Sequence, residues 1–285
     1  MLAERTERTE GTYLLEQRLR YTYDSPARDL RHRLVVVPPV VHGRQLRSDY
    51  GFTVSGDAVL VQTTTDAFGN HVVDIRAAVV RSWIEFEAWS LVEGSSITGE
   101  APVAASLLHD RRLRDPSPLT RADGELGDAA REFAGARSGI GLAERICTWT
   151  HGALTYGFGS TDVHTTAAAA FRGGRGVCQD YAHVMLALCR AAGLAARYVS
   201  GHLEGEGGSH AWVEVIVEHD LERRAPRSSA VAFDPTHDRR AARGYLTVAV
   251  GRDYADVAPT SGTFKGQCPG VLTSEKRLRA MPAVA

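Results

Sequence analysis

Residues 173–183 read Gly-Gly-Arg-Gly-Val-Cys-Gln-Asp-Tyr-Ala-His, and this stretch carries the strongest structural signal in the chain. Apolar residues then recur at positions 181, 184, 185 and 188, the spacing of one helical face, up to a stop at Gly193. Cys178 is therefore expected where a glycine-rich loop turns into a helix. The unpaired N–H groups and partial positive charge at a helix N-terminus stabilise a thiolate, and the N–H of Cys178 can donate to an attacked carbonyl oxygen.

Two downstream residues are candidate partners for this thiol. His210 follows a Gly-Gly-Ser turn and opens the strand-like run of residues 211–217, and Asp234 ends the next run, residues 230–233. If the two strands pair antiparallel, the start of one lies beside the end of the other. The Asp234 carboxylate can then hold one ring nitrogen of His210 while the other faces Cys178. The pattern predicts a catalytic triad of Cys178 as nucleophile, His210 as base and Asp234 as the group that orients the histidine.

Other histidines near the candidate site favour different roles. His183 lies five residues beyond Cys178, about 140° away around the helix, which favours a buried structural role. A zinc site made of Cys178, His202 and His210 is conceivable, but these residues lack the local ligand spacing of such sites.

The remaining acidic residues and cysteines are weaker candidates. Asp220 and Asp238 are alternatives to Asp234 as the orienting carboxylate. Cys147 and Cys189 fall within helical patterns and are expected to pack in the core, while Cys268 has no visible partner. The chain has 4 cysteines and no CxxC pair, which predicts reduced thiols and no disulfide framework.

The fold prediction is α+β, with an N-terminal antiparallel β-sandwich followed by helices packed on an antiparallel sheet. Short alternating or β-branched runs separated by turn residues occur at residues 13–23, 33–37, 58–64, 71–75 and 83–92. Helical spacing begins after a proline-containing stretch. The predicted division is a β-rich domain at 1–100, a linker at 101–120, and a catalytic core with a C-terminal extension at 121–285.

The charge balance excludes some partners. The 285 residues carry 33 Lys and Arg against 34 Asp and Glu, a net charge of −1, so no basic excess favours nucleic acid or an anionic membrane. The first ten residues, Met-Leu-Ala-Glu-Arg-Thr-Glu-Arg-Thr-Glu, lack the apolar segment of a secretory signal. No apolar run reaches the roughly 20 residues that span a bilayer. A cytoplasmic location is therefore expected.

Several short motifs, in this order, resemble the bacterial transglutaminase-like family of proposed cysteine proteases. The core motifs are Gly-Val-Cys-Gln-Asp-Tyr-Ala-His at 176–183, Ala-Arg-Tyr-Val-Ser-Gly at 196–201, Ser-His-Ala-Trp-Val-Glu at 209–214 and Phe-Asp-Pro-Thr at 233–236. Residues 248–259 resemble the segment that follows the triad in that family. The N-terminal strands, with Asp-Ala-Phe-Gly-Asn at 66–70, resemble its β-rich N-terminal region.

The resemblance implies a papain-like, transglutaminase-like core with Cys, His and Asp in the chain order of Cys178, His210 and Asp234. It implies a peptidase or amidase that acts on a peptide or protein amide. The thioester intermediate is then hydrolysed by water. Release to an amine by an acyltransferase, and an inactive binding module of the same fold, are the alternatives. No metal or other cofactor is expected, and the oligomeric state is left open. Two departures affect substrate preference: a charged stretch at 218–229, and His237 where an asparagine is often met.

Overall fold

The computed structural model describes residues 11–94, 99–136, 139–219, 227–267 and 269–282. Its strands, in chain order, are β1 (Thr12–Thr22), β2 (Ala27–Val37), β3 (Val41–His42), β4 (Gln45–Gly56), β5 (Leu60–Thr65), β6 (His71–Val80), β7 (Trp83–Glu93), β8 (Glu100–Val103), β9 (Thr155–Tyr156), β10 (Arg175–Gly176), β11 (Ala195–Leu203), β12 (His210–His219), β13 (Arg227–Asp234), β14 (Arg239–Arg240), β15 (Tyr245–Gly251), β16 (Thr260–Lys265) and β17 (Val271–Met281). Its helices are α1 (Arg111–Arg114), α2 (Glu125–Ala130), α3 (Ile140–Ala153), α4 (Ala167–Gly173), α5 (Cys178–Ala191) and α6 (Tyr254–Val257). Short 3₁₀ turns lie at Ala105–His109 and Arg131–Phe133.

Two antiparallel sheets form the predicted sandwich. One has the order β17-β1-β7-β4-β3 and the other β16-β2-β6-β5. The alternation read in the sequence of β1 is real, because Leu15 and Leu19 are both buried while their neighbours are more exposed. A core of aliphatic and aromatic side chains, including Leu34, Ile75 and Phe86, fills the space between the sheets.

The predicted turn between β5 and β6 is present and joins the sandwich to the rest of the molecule. Asp66 Oδ1 accepts from the N–H groups of Phe68 and Asn70, the local bonding that makes aspartate a turn residue. The Asn70 amide then forms two hydrogen bonds, each 2.8 Å long, with the backbone of Val250 in β15.

The strand pairing divides the chain differently from the sequence-based boundaries. The sequence-based boundaries place residues 121–285 in the core and its extension, but β16 pairs with β2, and β17 pairs with β1 along its whole length. Within the predicted linker, β8 adds to the core sheet by pairing with β13, and Leu113 is buried. Periodicity identifies a strand but not its partner, and pairings between distant parts of the chain are invisible to it.

The second half is an antiparallel sheet covered by helices. The sheet has the order β14-β13-β12-β11-β15, and α5 packs on one face against the side chains of Ala211, Val213 and Val215. Helix α5 ends as predicted: Gly193 has a φ of 82°, and Leu194 donates its N–H to the carbonyl of Cys189. The α+β class with an N-terminal sandwich is thereby confirmed. Among the described residues, no helix is long and apolar enough to cross a membrane.

Candidate active site

The loop before α5 is held so that Cys178 begins the helix. The Val177 N–H donates to Asp180 Oδ2 at 2.8 Å, and the hydroxyl of Thr161 donates to the same oxygen at 2.7 Å. Position 176 requires glycine, because a Cβ there would lie 2.5 Å from the Cβ of Asp180. Asp180 thus satisfies the N–H group of the N-cap residue Val177 and holds the neighbouring loop through Thr161. Cys178 is left half-buried, with its side chain toward the cleft.

Strands β12 and β13 bring the predicted histidine and aspartate together. Val213 pairs with Phe233, so the start of β12 lies beside the end of β13. His210 Nε2 donates to Asp234 Oδ2 at 2.7 Å, and both side chains are buried. The antiparallel pairing assumed from the sequence therefore produces the expected contact.

Asp234 accepts several hydrogen bonds besides that of His210. Its Oδ2 also accepts from His237 Nδ1 at 2.7 Å and from the Tyr245 hydroxyl at 2.6 Å, and its Oδ1 accepts from the Thr236 N–H at 2.9 Å. Burial alone would raise the pKa of this carboxyl group, but the hydrogen bond and charge of His210, with Tyr245 and His237, hold it below its usual range. Asp234 is thus kept as a carboxylate although it is fully buried.

The His210 ring is held in the charged form. Burial alone would lower the pKa of His210, but hydrogen bonds to Asp234 and to the Cys178 side chain raise it to about 10. The rings of Trp212 and Tyr245 lie beside the His210 ring, with centroids 6.2 and 6.0 Å from its own. At neutral pH the site therefore presents an imidazolium, fixed by a carboxylate, beside the sulfur of Cys178.

A cleft of about 750 Å³ opens at Cys178 and His210. Tyr156 and Phe158 form an aromatic pair at its edge, with centroids 5.5 Å apart, and Phe158 is 83% exposed. Among the described residues that line the cleft, Glu206 is the only carboxylate and none is a lysine or arginine. A volume of this size is within the range of small-ligand and peptide side-chain sites.

The other histidines considered in the sequence take structural positions. His183 is fully buried, its Nε2 accepts from the Tyr254 N–H at 3.2 Å, and burial lowers its pKa to about 4. His202 is also buried, and its Nδ1 donates to the Gly208 carbonyl at 3.1 Å. The described part of the chain holds no metal-ligand cluster that contains His202.

The weaker candidates that the structure describes lie away from the cleft. Cys147 and Cys189 are buried in the core as expected, and burial raises the pKa of Cys189 to about 12. Asp238 accepts a hydrogen bond from Thr148. Asp220 and Cys268 lie outside the described residues, as does most of the charged stretch after residue 218.

Sequence reasoning missed several residues that complete the site. His237, Tyr245 and Trp212 surround the His210–Asp234 pair, and Glu206 approaches His210 from the β11–β12 loop. In the sequence, His237 stands out only as a departure from a family pattern. The sequence signal for a place in the site is its position three residues after Asp234. Candidate metal-ligand atoms of His210, Asp234 and His237 all lie within 4.8 Å of one another.

The fold and the site define the class: a papain-like α+β core in which a cysteine at a helix N-terminus faces a histidine held by an aspartate. Residues 127–235 match the family model of the transglutaminase-like superfamily. Residues 13–93 match that of the bacterial transglutaminase-like N-terminal region. The chain thus contains a transglutaminase-like core region and a bacterial transglutaminase-like N-terminal region.

A solved structure shares the fold, and two uncharacterized proteins share part of the sequence. A crystal structure of a proposed cysteine protease from Cytophaga hutchinsonii superposes with a TM-score of 0.75 at 20% identity, over 97% of this chain and 92% of that one. An uncharacterized protein of Mycobacterium leprae is 38% identical over 129 residues, 42% of this chain and 43% of the relative. An uncharacterized protein of Mycobacterium bovis is 28% identical over 254 residues, 82% of this chain and 76% of the relative. The match thus spans less than half of the M. leprae protein.

Proposed function

We propose that this protein is a cysteine-dependent amide-bond enzyme, a peptidase or amidase that works through a thioester acyl-enzyme. The observation that carries the proposal is the 2.7 Å bond from His210 to Asp234 beside Cys178 at the start of α5. These groups supply a nucleophile, a proton donor and a fixed orientation, the requirements of thiol-based acyl transfer.

In the proposed reaction, the Cys178 thiolate attacks the carbonyl carbon of the amide. The Cys178 N–H donates to the developing oxyanion at the helix N-terminus. The His210 imidazolium gives its proton to the departing amine, and the C–N bond breaks to leave a thioester. His210, now neutral, takes a proton from water as it attacks the thioester, which frees the acid and restores the Cys178 thiolate and the His210 imidazolium.

The cleft favours hydrolysis over transfer to an amine. Its edge carries the exposed ring of Phe158 and the partly exposed carboxylate of Glu206, so water has access to an acyl group on Cys178. Acyl transfer depends on excluding that water. A peptide or protein amide is the proposed substrate, and a cytoplasmic location stays a proposal from the sequence.

The first test measures thiol reactivity and needs no substrate. Alkylation by iodoacetamide from about pH 4 to about pH 10, mapped by mass spectrometry, is expected to label Cys178 fast and selectively below neutral pH. In His210→Ala the labelling at low pH should be lost. Equal, slow labelling of Cys178, Cys147 and Cys189 would contradict the proposal and favour a binding module.

A second test distinguishes the reaction types. Peptide amides are incubated with the enzyme, with and without an added primary amine, and the products are weighed by mass spectrometry. Hydrolysis gives the free acid in both cases, whereas acyl transfer gives the new amide when the amine is present. Cys178→Ala is the control and should form neither product.

A further inference from the structure

Glu206 is a carboxylate at the cleft that the proposed reaction does not use. It belongs to the loop between β11 and β12, and its side chain is 39% exposed. One of its oxygens lies 3.5 Å from His210 Nδ1 and the other lies 3.5 Å from His237 Nε2, both longer than an ordinary hydrogen bond. An ionised carboxylate has lone pairs for about four donors, so Glu206 can still accept N–H groups from a ligand.

The charge of Glu206 is not needed to balance the cation of the cleft. The His210 imidazolium already bonds to the buried Asp234 carboxylate at 2.7 Å. Among the described residues that line the cleft, no lysine or arginine is present to neutralise a second carboxylate. A cleft wall of one charge sign concentrates ligands of the opposite sign, so this wall should attract cations and repel anions.

An aromatic wall stands on the other side of the nucleophile. The pairing of β9 with β10 places Tyr156 opposite Gly176, two residues before Cys178. The Phe158 ring packs edge-on against the Tyr156 ring and stays 83% exposed. Burial raises the pKa of the Tyr156 hydroxyl, and the charges of Cys178 and Glu206 raise it further, so Tyr156 lies within reach of both groups. The faces of such rings attract ammonium and guanidinium groups.

We propose that Glu206, Tyr156 and Phe158 form a subsite that selects substrates with a positive charge next to the scissile amide. The charge is an ammonium or guanidinium group, carried by a lysine or arginine side chain or by a free N-terminal amine. Glu206 accepts its N–H donors, and the aromatic rings cover its face. This inference rests on the proposed function, because it names the substrate class of the same cleft.

The first test compares two thiol reagents of opposite charge on the full chain. Methanethiosulfonates with a trimethylammonium or a sulfonate group both react by one displacement, in which the thiolate forms a mixed disulfide and methanesulfinate leaves. The rates at Cys178 are followed by mass spectrometry, and the cationic rate is divided by the anionic rate, so that any change in the thiolate fraction cancels. Glu206→Gln should lower this ratio about tenfold, the lower end of the effect of a charged cleft.

A matched control removes a carboxylate of the same loop outside the cleft. Glu204 accepts from the Tyr13 hydroxyl and is not among the residues that line the cleft, so Glu204→Gln should keep the wild-type ratio. Phe158→Leu should lower the ratio by about two- to fivefold, the effect of one exposed cation–π contact. A wild-type ratio in Glu206→Gln would overturn the proposal.

A second test uses peptides and does not require that they be cleaved. Acetylated tripeptide amides with a central lysine, norleucine or glutamate compete with iodoacetamide, and the concentration that halves the rate of Cys178 alkylation is measured. The lysine peptide should protect at about tenfold lower concentration than the glutamate peptide, with norleucine between them. Glu206→Gln should reduce this difference. Equal protection by the lysine and glutamate peptides would overturn the proposal.

An unblocked trialanine amide distinguishes the two sources of the charge. Its only cation is the N-terminal amine, so stronger protection by this peptide than by the lysine peptide assigns the subsite to a free N-terminus, and the reverse order assigns it to a basic side chain. Failure of the proposed function is a separate result, seen as slow alkylation of Cys178 that ignores His210. The subsite fails only when the charge preference is the same in the wild type and Glu206→Gln, whatever the absolute rates.

Discussion

Among the described residues, Asp234 and Glu214 are buried carboxylates that each bond a histidine ring nitrogen at 2.7 Å, and of these two sites only that of Asp234 lies at the cleft lined by Cys178. His210 Nε2 bonds to Asp234 at the end of β13, and His42 Nε2 bonds to Glu214 in the middle of β12. Both carboxylates are buried, and both keep their charge. The pair itself is therefore not what makes a reactive site.

The two sites differ in the other groups that contact the carboxylate and the histidine. Glu214 also binds the Arg197 guanidinium at 2.6 Å, so its negative charge is neutralised inside the protein. Burial alone would raise the pKa of Glu214, but the charges of Arg197 and His42 hold it below its usual range. Asp234 has no arginine partner among its contacts in the described residues, and its charge acts on His210, which has Cys178 on its other side. His42 belongs to β3, so the Glu214 cluster joins the sandwich to the core.

The largest expected difference is between the two histidines. His210→Ala removes the proton donor and should lower kcat/KM for a cleaved amide by about 10⁴-fold or more. His42→Ala breaks the equivalent contact outside the cleft and should keep kcat/KM within a few-fold of the wild type. Steady-state kinetics on both variants check this. A similar loss in both would contradict the assignment of the reaction to the His210 pair.

The two carboxylates should differ next in their effect on the pH profile. Asp234→Asn should lower kcat by about 10²- to 10⁴-fold, because it removes the charge that orients and stabilises the imidazolium. The wild-type rate should fall as pH rises through the His210 pKa of about 10, and Asp234→Asn should move that fall to lower pH. Glu214→Gln should leave the alkaline limb in place. A limb that stays fixed in Asp234→Asn would exclude this role for Asp234.

Glu214, which should not affect the pH profile of the rate, should affect the stability of the fold. Glu214→Gln leaves Arg197, 12% exposed, without its counter-charge, and should lower the free energy of unfolding by about 3 kcal/mol. The exposed pair of Arg131 and Asp128 is the control, and Asp128→Asn should cost less than about 1 kcal/mol. Urea titration monitored by circular dichroism gives both values. Equal small effects would mean that the buried Glu214 cluster adds no stability to the contact between the sandwich and the core.

The last comparison concerns the pH dependence of stability. The raised pKa of His210 contributes stability that is complete below the unfolded value of about 6.5 and is lost as pH rises toward about 10. The lowered pKa values of Asp234 and Glu214 contribute above about pH 4 and are lost as pH falls. Between neutral and alkaline pH, the wild type should therefore lose more stability than His210→Gln. Parallel curves of unfolding free energy against pH for the two proteins would contradict this prediction.

The sequence predicted the parts of this site that depend on local pattern. The glycine-rich loop, the start of α5 and the two strand ends placed Cys178, His210 and Asp234, and the α+β class followed from the change in period. Glu206, His237 and Tyr245 come from loops and a strand whose spacing has no period, so their approach to the site depends on tertiary structure. The catalytic roles themselves remain predictions until activity is measured.

The pairing of the first and last strands determines when the sandwich can be completed during synthesis. Strand β1 pairs with β17 over its whole length, with Thr12 opposite Met281, and β2 pairs with β16. On the ribosome, one edge of β1 and one edge of β2 stay unpaired until β16 and β17, at residues 260–281, have been made. Unpaired strand edges favour aggregation, and contacts between distant residues slow folding. The order of synthesis thus leaves the core free to form before the sandwich that it joins is complete.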